Sequence, residues 1–215
     1  MPDQNQNVVY DEGYYEGVLD LYYALMTTQD TATSAPVYEK PQVLAKSIEV
    51  TITPAYREGK LHASNATVRN IKRIDTYGVK LNVAKIAYNN IQRVMGRAKD
   101  SNGVQIVTGS AIVPYLALGF ACTLDDGTKE FWWLYKGNFA ELTKSAKTLG
   151  EKTEYQTPTV EGTFIRRQDN DALAAIADTA DKSIPQSTID GWYEAVYEPA
   201  PATIPPEEPE EGDGG

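Results

Sequence analysis

The sequence has very few of the residues that build most catalytic and metal sites. It contains one cysteine and one histidine among 215 residues. A single Cys122 excludes an intrachain disulfide and a cysteine-based zinc site, and its apolar surroundings favour a small buried side chain over a reactive thiol. His62 has no neighbouring cysteine or repeated carboxylates, so a surface histidine is favoured over a metal ligand or general base. The sequence also lacks a nucleophile elbow and a phosphate-binding glycine motif. We therefore expect no enzymatic activity, no cofactor and no metal.

Long apolar runs are also missing. The longest, at residues 112–124, contains Pro114 and Gly119 and is too short to span a bilayer. The first 17 residues have neither the basic start nor the apolar stretch of a secretion signal. These features predict a soluble protein that is made in the cytoplasm and has no membrane partner.

Most of the acidity is concentrated at the C-terminus. The formal net charge is −10, and residues 198–215 contain six acidic residues and no basic one, which leaves about −4 for the rest of the chain. A Pro/Glu/Gly-rich segment of this kind cannot bury enough apolar surface to become ordered, so we predict a disordered acidic tail over 198–215. A net acidic chain is also a poor candidate for wrapping nucleic acid.

The hydrophobic pattern of the remaining chain indicates strands. Apolar and polar residues alternate over residues 19–25, 43–53 and 79–83, which is the period of a half-buried strand, and the many tyrosines fit strands as well. Residues 1–17 are polar and predict an extended arm. We expect one mainly β domain over residues 18–197.

Residues 54–76 lie between two of these strands and have weaker periodicity. They predict a long projecting hairpin or loop, and loops of this length inside compact domains are usually functional or mobile. The segment is basic, with Arg57, Lys60, Arg69, Lys72 and Arg73 set against two acidic residues. Nucleic-acid contact is one interpretation, but the segment has no interleaved aromatics for base stacking. A solvated loop, or one that meets an acidic surface on another subunit, is favoured.

Asp126-Gly127 is the strongest turn signal, because Gly supplies the positive φ that a tight hairpin needs. The strand after it, FWWLY at 131–135, is apolar on both faces, so it is either covered on both sides within the domain or exposed to a neighbouring subunit. Apolar spacing predicts a helix over Ala87–Gly96, a second one capped by Asn170, and a third that a Ser187/Asp190 capping box opens.

Several stretches together resemble one family, the major tail tube proteins of long-tailed bacteriophages, in particular the phi13/TP901-1-type group. The most specific are PYLALGF, a Gly-containing turn and WLYKG within residues 113–141, followed by YQTPTVEGTF at 155–164. Further resembling stretches occupy residues 18–27, 43–66, 77–86 and 192–199.

The resemblance implies a β-sandwich or barrel with one flanking α-helix and a long hairpin loop that reaches a neighbouring subunit or ring. It implies six copies in a ring, with rings stacked into a tube for DNA ejection in the virion tail. The implied partners are the chain itself, tape-measure, tail terminator and baseplate proteins, and double-stranded DNA as a non-specific passenger. The N-terminal arm is longer than the family pattern, and residues 66–75 are basic where related chains often carry acids. Because a DNA-conducting lumen should be acidic, we place Arg69, Lys72 and Arg73 at subunit contacts.

The full set of predicted inter-subunit contacts combines the long loop, the FWWLY strand and the arm. It comprises Tyr56, Arg57, Lys60, Leu61, Arg69, Lys72, Arg73, Trp132, Trp133, Tyr14 and Tyr15. Two other functions are compatible with the sequence: the tube protein of a contractile injection or secretion system, and a carbohydrate- or protein-binding β-domain that uses exposed Tyr and Trp.

Overall fold

The computed structural model describes residues 14–63, 66–142 and 157–200, with the side chains of residues 60–70 outside the description. The predicted acidic tail beyond residue 200, the arm before residue 14 and the start of the resembling stretch at 155–164 lie outside the described residues. The elements are β1 (Tyr15–Val18), β2 (Leu21–Thr28), β3 (Val37–Tyr38), β4 (Gln42–Ala45), β5 (Ser47–Ala63), β6 (Ala66–Val83), α1 (Tyr88–Val94), β7 (Ala98–Lys99), β8 (Gln105–Ile106), β9 (Leu116–Leu124), β10 (Lys129–Phe139), β11 (Thr159–Ile165), β12 (Ala174–Asp178) and α2 (Gln186–Asp190).

The fold is mainly β, as predicted, and is organised by one large antiparallel sheet. Its strand order is β3-β2-β9-β10-β11-β6-β5, with β1, β4 and β12 attached at β9, β2 and β10. The sheet curves over on itself, because side chains of β5, β6 and β11 share one core with those of β2, β9 and β10. We call this the main core. The helix α1 closes part of it with Val94 and Met95, which are buried.

The bend of the sheet lies in β10. Residues 129–134 of this strand pair with β9 and β12, whereas residues 136–139 pair with β11, and the register shifts between Leu134 and Gly137. Such an irregularity bends a strand and increases its local twist. A Cβ atom on Gly137 would come within 2.4 Å of the Phe164 ring, so the bend brings β10 directly against β11.

The chain itself covers one face of the FWWLY strand completely and the other face in part. Leu134 points into the main core, whereas Phe131, Trp133 and Tyr135 point to the opposite face and belong to a second cluster. Residues 184–197 cover that face. Trp192 is buried, its carbonyl accepts a hydrogen bond from Trp133 Nε1 at 3.0 Å, and Tyr193 stacks on Tyr22 with ring centroids 3.9 Å apart.

Buried ion pairs connect the loops to this second face. Lys136 is buried and bonds to Asp30, whose other carboxylate oxygen accepts from the backbone of Gln168. Arg167 is also buried and binds Asp169 through two hydrogen bonds of 2.6 and 2.9 Å and Glu198 through a third of 2.7 Å. Because an unpaired buried charge is costly, these contacts fix the loop after β2, the segment before β12 and the C-terminal residues to the sheet.

The predicted helices are partly wrong. The helix over Ala87–Gly96 is confirmed as α1, and Gly96 ends it with a φ of 63°. The residues after Asn170 instead form β12, because Asn170 Oδ1 accepts from the Ala172 N–H in a local turn and the next residues pair with β10. The third predicted helix exists as α2, but Pro185 is its N-cap and no side chain caps it, so the Ser187 capping box is wrong.

The predicted turn at Gly127 is confirmed, with a φ of 86° between β9 and β10. In the described part of the chain, neither helix combines the length and the apolar character needed to cross a membrane.

Candidate assembly surface

The predicted loop at 54–76 is a two-stranded ribbon. Strands β5 and β6 pair along their whole length, from Ser47 opposite Val83 to Ala63 opposite Ala66. In contrast, β11 pairs with β6 only over residues 76–82 of β6. Residues 54–75 of the pair therefore continue beyond β11, and we call them the ribbon. The projecting hairpin predicted from the sequence is confirmed; its contact with a neighbouring subunit stays a prediction.

Part of the ribbon's positive charge is compensated within the ribbon. Arg57 lies 2.9 Å from Asp75, and Lys72 lies 3.8 Å from Glu58 and 4.2 Å from the centre of the Tyr56 ring. These groups remain largely exposed, so the contacts hold side chains in place more than they stabilise the fold. Arg57 pairs across the strands with Arg73, which concentrates positive charge near the middle of the ribbon.

Three predicted contact residues lie further along the ribbon. Lys60 and Leu61 on β5 pair with Asn70 and Arg69 on β6, so the backbone places all three predicted residues on the outer half of the ribbon. Their side chains lie outside the description.

The two predicted arm tyrosines lie next to the β9–β10 turn. Both are exposed, and the backbone N–H of Tyr14 donates to Asp125 at 2.8 Å. Tyr15 begins β1, and its hydroxyl lies 3.1 Å from both carboxylate oxygens of Glu130. Partial burial, followed by the charge of Glu130, raises the pKa of the Tyr15 phenol.

A groove of about 650 Å³ connects β1 with the base of the ribbon. Its rim is formed by β1 and by the start of β5, and its floor is formed by Phe120 and Trp132, whose rings stack with centroids 5.8 Å apart. The residues that line the groove are Tyr15, Glu16, Gly17, Val18, Ile48, Glu49, Val50, Ile52, Pro54, Tyr77, Phe120, Cys122, Glu130 and Trp132. We call this cavity the groove.

The groove is an opening into the main core. Val18, Val50, Ile52, Tyr77, Cys122 and Trp132 are only partly buried and pack against the main core from this side. Partial burial of Cys122, followed by the charge of Glu130, raises the pKa of its thiol, which is half-buried instead of fully buried as expected from its apolar run. One end of the apolar interior is therefore accessible to solvent.

The two tryptophans predicted as contacts are separated by the sheet. Trp132 is half-buried, lines the groove and bonds to Glu130, so its indole is available at the surface. Trp133 is 0% exposed beneath Trp192 on the opposite face. The prediction of Trp133 as an inter-subunit contact is wrong, because residues 184–197 of the same chain cover the face to which it points.

The rim of the groove has free strand edges. Among the described residues, β5 pairs only with β6 and β1 pairs only with β9, although β1 and β5 lie next to each other. Unpaired N–H and C=O groups on two neighbouring edges are available to another chain, and natural proteins usually cover or blunt such edges.

Sequence reasoning identified Tyr15 and Trp132 but missed the apolar floor between them. The alternation of Ile48, Val50 and Ile52 was visible in the sequence, and it correctly indicates one apolar face of β5. The pattern alone does not show that this face lies at an opening of the core, because that depends on which strands pair around it.

In the described residues, no group of three or more His, Cys, Asp or Glu side chains is placed to hold a metal ion. The His62 side chain lies outside the description.

No family model and no curated protein sequence matches the chain. The structure is similar to a chain of the anti-feeding prophage cap, the tube-terminating cap, solved by cryo-EM, with a TM-score of 0.40 and 11% identity over 80% of this chain and 98% of that one. It is also similar to a chain of the six-fold symmetrised anti-feeding prophage baseplate, with a TM-score of 0.33 and 10% identity over 74% of this chain and 93% of that one. At these scores, neither likeness defines the function or the family of this chain.

Proposed function

We propose that this chain is a non-enzymatic structural protein of a phage tail, and specifically a tail tube subunit that assembles with copies of itself. The proposed assembly is a stack of hexameric rings around a channel for DNA, in a virion tail that also contains tape-measure, terminator and baseplate proteins. The subunit needs no cofactor, and DNA is a passenger without a specific binding site.

The observation that carries this proposal is the combination of the ribbon, the groove and the free edges of β1 and β5. The ribbon extends beyond the rest of the sheet, and the groove leaves one end of the main core accessible. A neighbouring copy can close an open edge with backbone hydrogen bonds and cover an apolar opening at the same time. The ordered resemblance of residues 18–199 to tail tube proteins points to the same type of assembly.

The test is negative-stain electron microscopy of the purified full-length chain over a range of concentrations, with its mass followed by light scattering. Hollow tubes or six-membered rings are the expected result. A chain that stays monomeric at every concentration and binds immobilised glycans would contradict the proposal and support a carbohydrate-binding β-domain. Rings that polymerise only inside a contractile sheath would favour the injection-system alternative.

A further inference from the structure

A second apolar surface lies between α1 and β9. Four aliphatic side chains within nine residues are exposed: Val104 by 51%, Ile106 by 42%, Val107 by 62% and Ile112 by 87%. Residues 101–124 contain no charged residue, and the nearest charge before them, Asp100, accepts hydrogen bonds from the N–H groups of Asn102 and Val104 at 2.9 and 2.8 Å. Single exposed aliphatic residues are ordinary, but several in one short segment mark an interaction site. We call residues 104–112 the aliphatic loop.

The aliphatic loop is held in one conformation. The Gln105 side chain donates to the Tyr88 carbonyl at 2.6 Å, and the Gln105 N–H donates to the Tyr88 hydroxyl at 3.0 Å. At the other end of the loop, the Ile112 carbonyl packs against Gly96, where an added Cβ atom would lie only 2.4 Å from it. A surface that is already ordered loses little conformational entropy when it binds.

The aliphatic loop and the groove are separate surfaces of one copy, because no residue of the loop lines the groove. The loop follows α1, which closes part of the main core, and leads into β9 at Leu116. The groove floor contains Phe120 and Cys122, further along the same strand. At the rise of an extended strand, Cys122 lies about 20 Å from Leu116. Because Tyr88 and Gly96 hold the loop in a position outside the groove, a contact between the two surfaces joins different copies.

We propose that the aliphatic loop of one copy packs into the groove of the next copy, an inference that rests on the proposed self-assembly. The loop supplies aliphatic side chains, and the groove supplies an apolar floor and a volume of about 650 Å³. The charges agree as well. Lys99 at the base of the loop has the neutral Asn89 as its hydrogen-bond partner, and the neighbouring Asp100 carboxylate accepts hydrogen bonds from nearby backbone N–H groups, whereas the groove rim carries Glu16 and Glu49.

The position of the two surfaces also defines the type of assembly. Because the loop and the groove are different surfaces of each copy, a single loop-in-groove contact is heterologous and leaves a free loop and a free groove on every dimer. Heterologous contacts of this kind continue into a closed ring or an open polymer. A two-fold dimer would instead use both pairs of surfaces and stop.

The test uses two full-length proteins in a Cys122→Ala background, one with Ile112→Cys in the loop and one with Ile48→Cys at the groove and a tag of different mass. Ile48 is 53% exposed, so its substitution does not disturb the core. The mixture is treated with a short bis-maleimide and separated by denaturing electrophoresis. The heterodimer is the expected main product. In the matched control, Val37→Cys replaces Ile112→Cys; Val37 is also 53% exposed but lies on β3.

A second measurement removes the contact without a cross-linker. Ile112→Asp should raise the concentration needed for polymer formation at least about tenfold, which corresponds to about 1.4 kcal/mol. Val37→Asp should leave that concentration unchanged, and circular dichroism should show both variants folded.

The outcomes separate this inference from the proposed function. If tubes form but no heterodimer is cross-linked between positions 112 and 48, the loop-in-groove contact is wrong and the tube proposal still holds. The same conclusion follows if Ile112→Asp assembles at an unchanged concentration. The heterodimer without tubes or rings supports the contact and contradicts the tube. Neither polymer nor heterodimer at any concentration overturns both.

Discussion

Gly119 lies directly against the indole of Trp133 on the neighbouring strand. A Cβ atom at this position would meet three carbons of the ring at 2.8 to 3.0 Å, and Trp133 is fully buried and hydrogen-bonded to Trp192. The ring cannot move without repacking the second cluster. We expect Gly119→Ala to lower the free energy of unfolding by about 1–3 kcal/mol, measured by urea denaturation. Gly59→Ala is the matched control, because no atom lies within 4 Å of its added Cβ. Equal losses in the free energy of unfolding for Gly119→Ala and Gly59→Ala would contradict the close packing of Gly119 against Trp133.

The buried pair of Lys136 and Asp30 is a second feature at the residue scale. Burial alone would raise the pKa of Asp30, but the bonds from Lys136 and from the Gln168 N–H outweigh burial and lower it. A lowered pKa means that the ionised carboxylate stabilises the native state above the unfolded pKa of about 3.9. That stability is lost as the pH falls through the lower folded pKa.

We expect Asp30→Asn to lower the free energy of unfolding at pH 7 by about 3–5 kcal/mol, because it leaves the Lys136 ammonium buried without a counter-charge. The variant should also lose the part of the acid sensitivity that Asp30 contributes, seen as a flatter dependence of the urea midpoint between pH 5 and pH 2. Asp171→Asn breaks an exposed pair with Arg166 and should cost under about 1 kcal/mol. If Asp30→Asn lowers the free energy of unfolding no more than Asp171→Asn does, Asp30 does not neutralise Lys136.

At the scale of elements, the C-terminal residues cover a large apolar face of the sheet. Trp192 is 3% exposed and packs near Phe131 and Tyr197, with ring centroids 6.0 and 5.3 Å away. We expect Trp192→Ala to lower the free energy of unfolding by about 3–5 kcal/mol and to increase binding of a hydrophobic dye. Tyr14→Ala removes an aromatic ring that is 75% exposed and is the control. An unchanged midpoint for Trp192→Ala would show that these residues do not hold the second cluster together.

The elements also show how far the sequence could predict this fold. The strands with a strict alternation, the Gly127 turn and the helix ending at Gly96 were predictable, because each depends on residues close in sequence. The segment after Asn170 was predicted as a helix since Leu173, Ile176 and Ala180 have helical spacing. It forms a strand because it pairs with an edge of β10. Since the nearest paired residues, Leu134 and Ala174, are 40 residues apart in sequence, the local spacing of apolar residues does not indicate this pairing.

The candidate surface was predictable to a smaller extent for the same reason. Tyr15 and Trp132 were predicted as subunit contacts and both line the groove, but the choice between Trp132 and its neighbour depended on what covers each face of β10. Trp192 supplies that cover from 59 residues further along the chain. The aliphatic loop was not predicted as a surface, because a sequence shows apolar residues without showing whether they are buried.

At the scale of the whole molecule, the ribbon's positive charge should act between copies. Lys72 and Arg73 are exposed, and the ribbon extends beyond the rest of the sheet. We expect reversal of Arg69, Lys72 and Arg73 to Glu to abolish tube formation while leaving the far-ultraviolet circular dichroism unchanged. The control reverses three exposed lysines elsewhere, Lys46, Lys85 and Lys182, and changes the net charge equally. Normal tubes from the ribbon variant, scored by electron microscopy, would place these residues outside the subunit contacts.

Because the groove is open in an isolated copy, the thermal stability of the protein should depend on its concentration. In an isolated copy, Trp132 and its neighbours in the groove are partly exposed to solvent, whereas in a copy with an occupied groove this surface is buried. Anything that binds only the native state raises the unfolding temperature by mass action, and here the ligand is the protein itself. Its melting temperature should therefore rise with concentration in differential scanning calorimetry, and a chain carrying Ile112→Asp should show the same rise only at concentrations at least about tenfold higher.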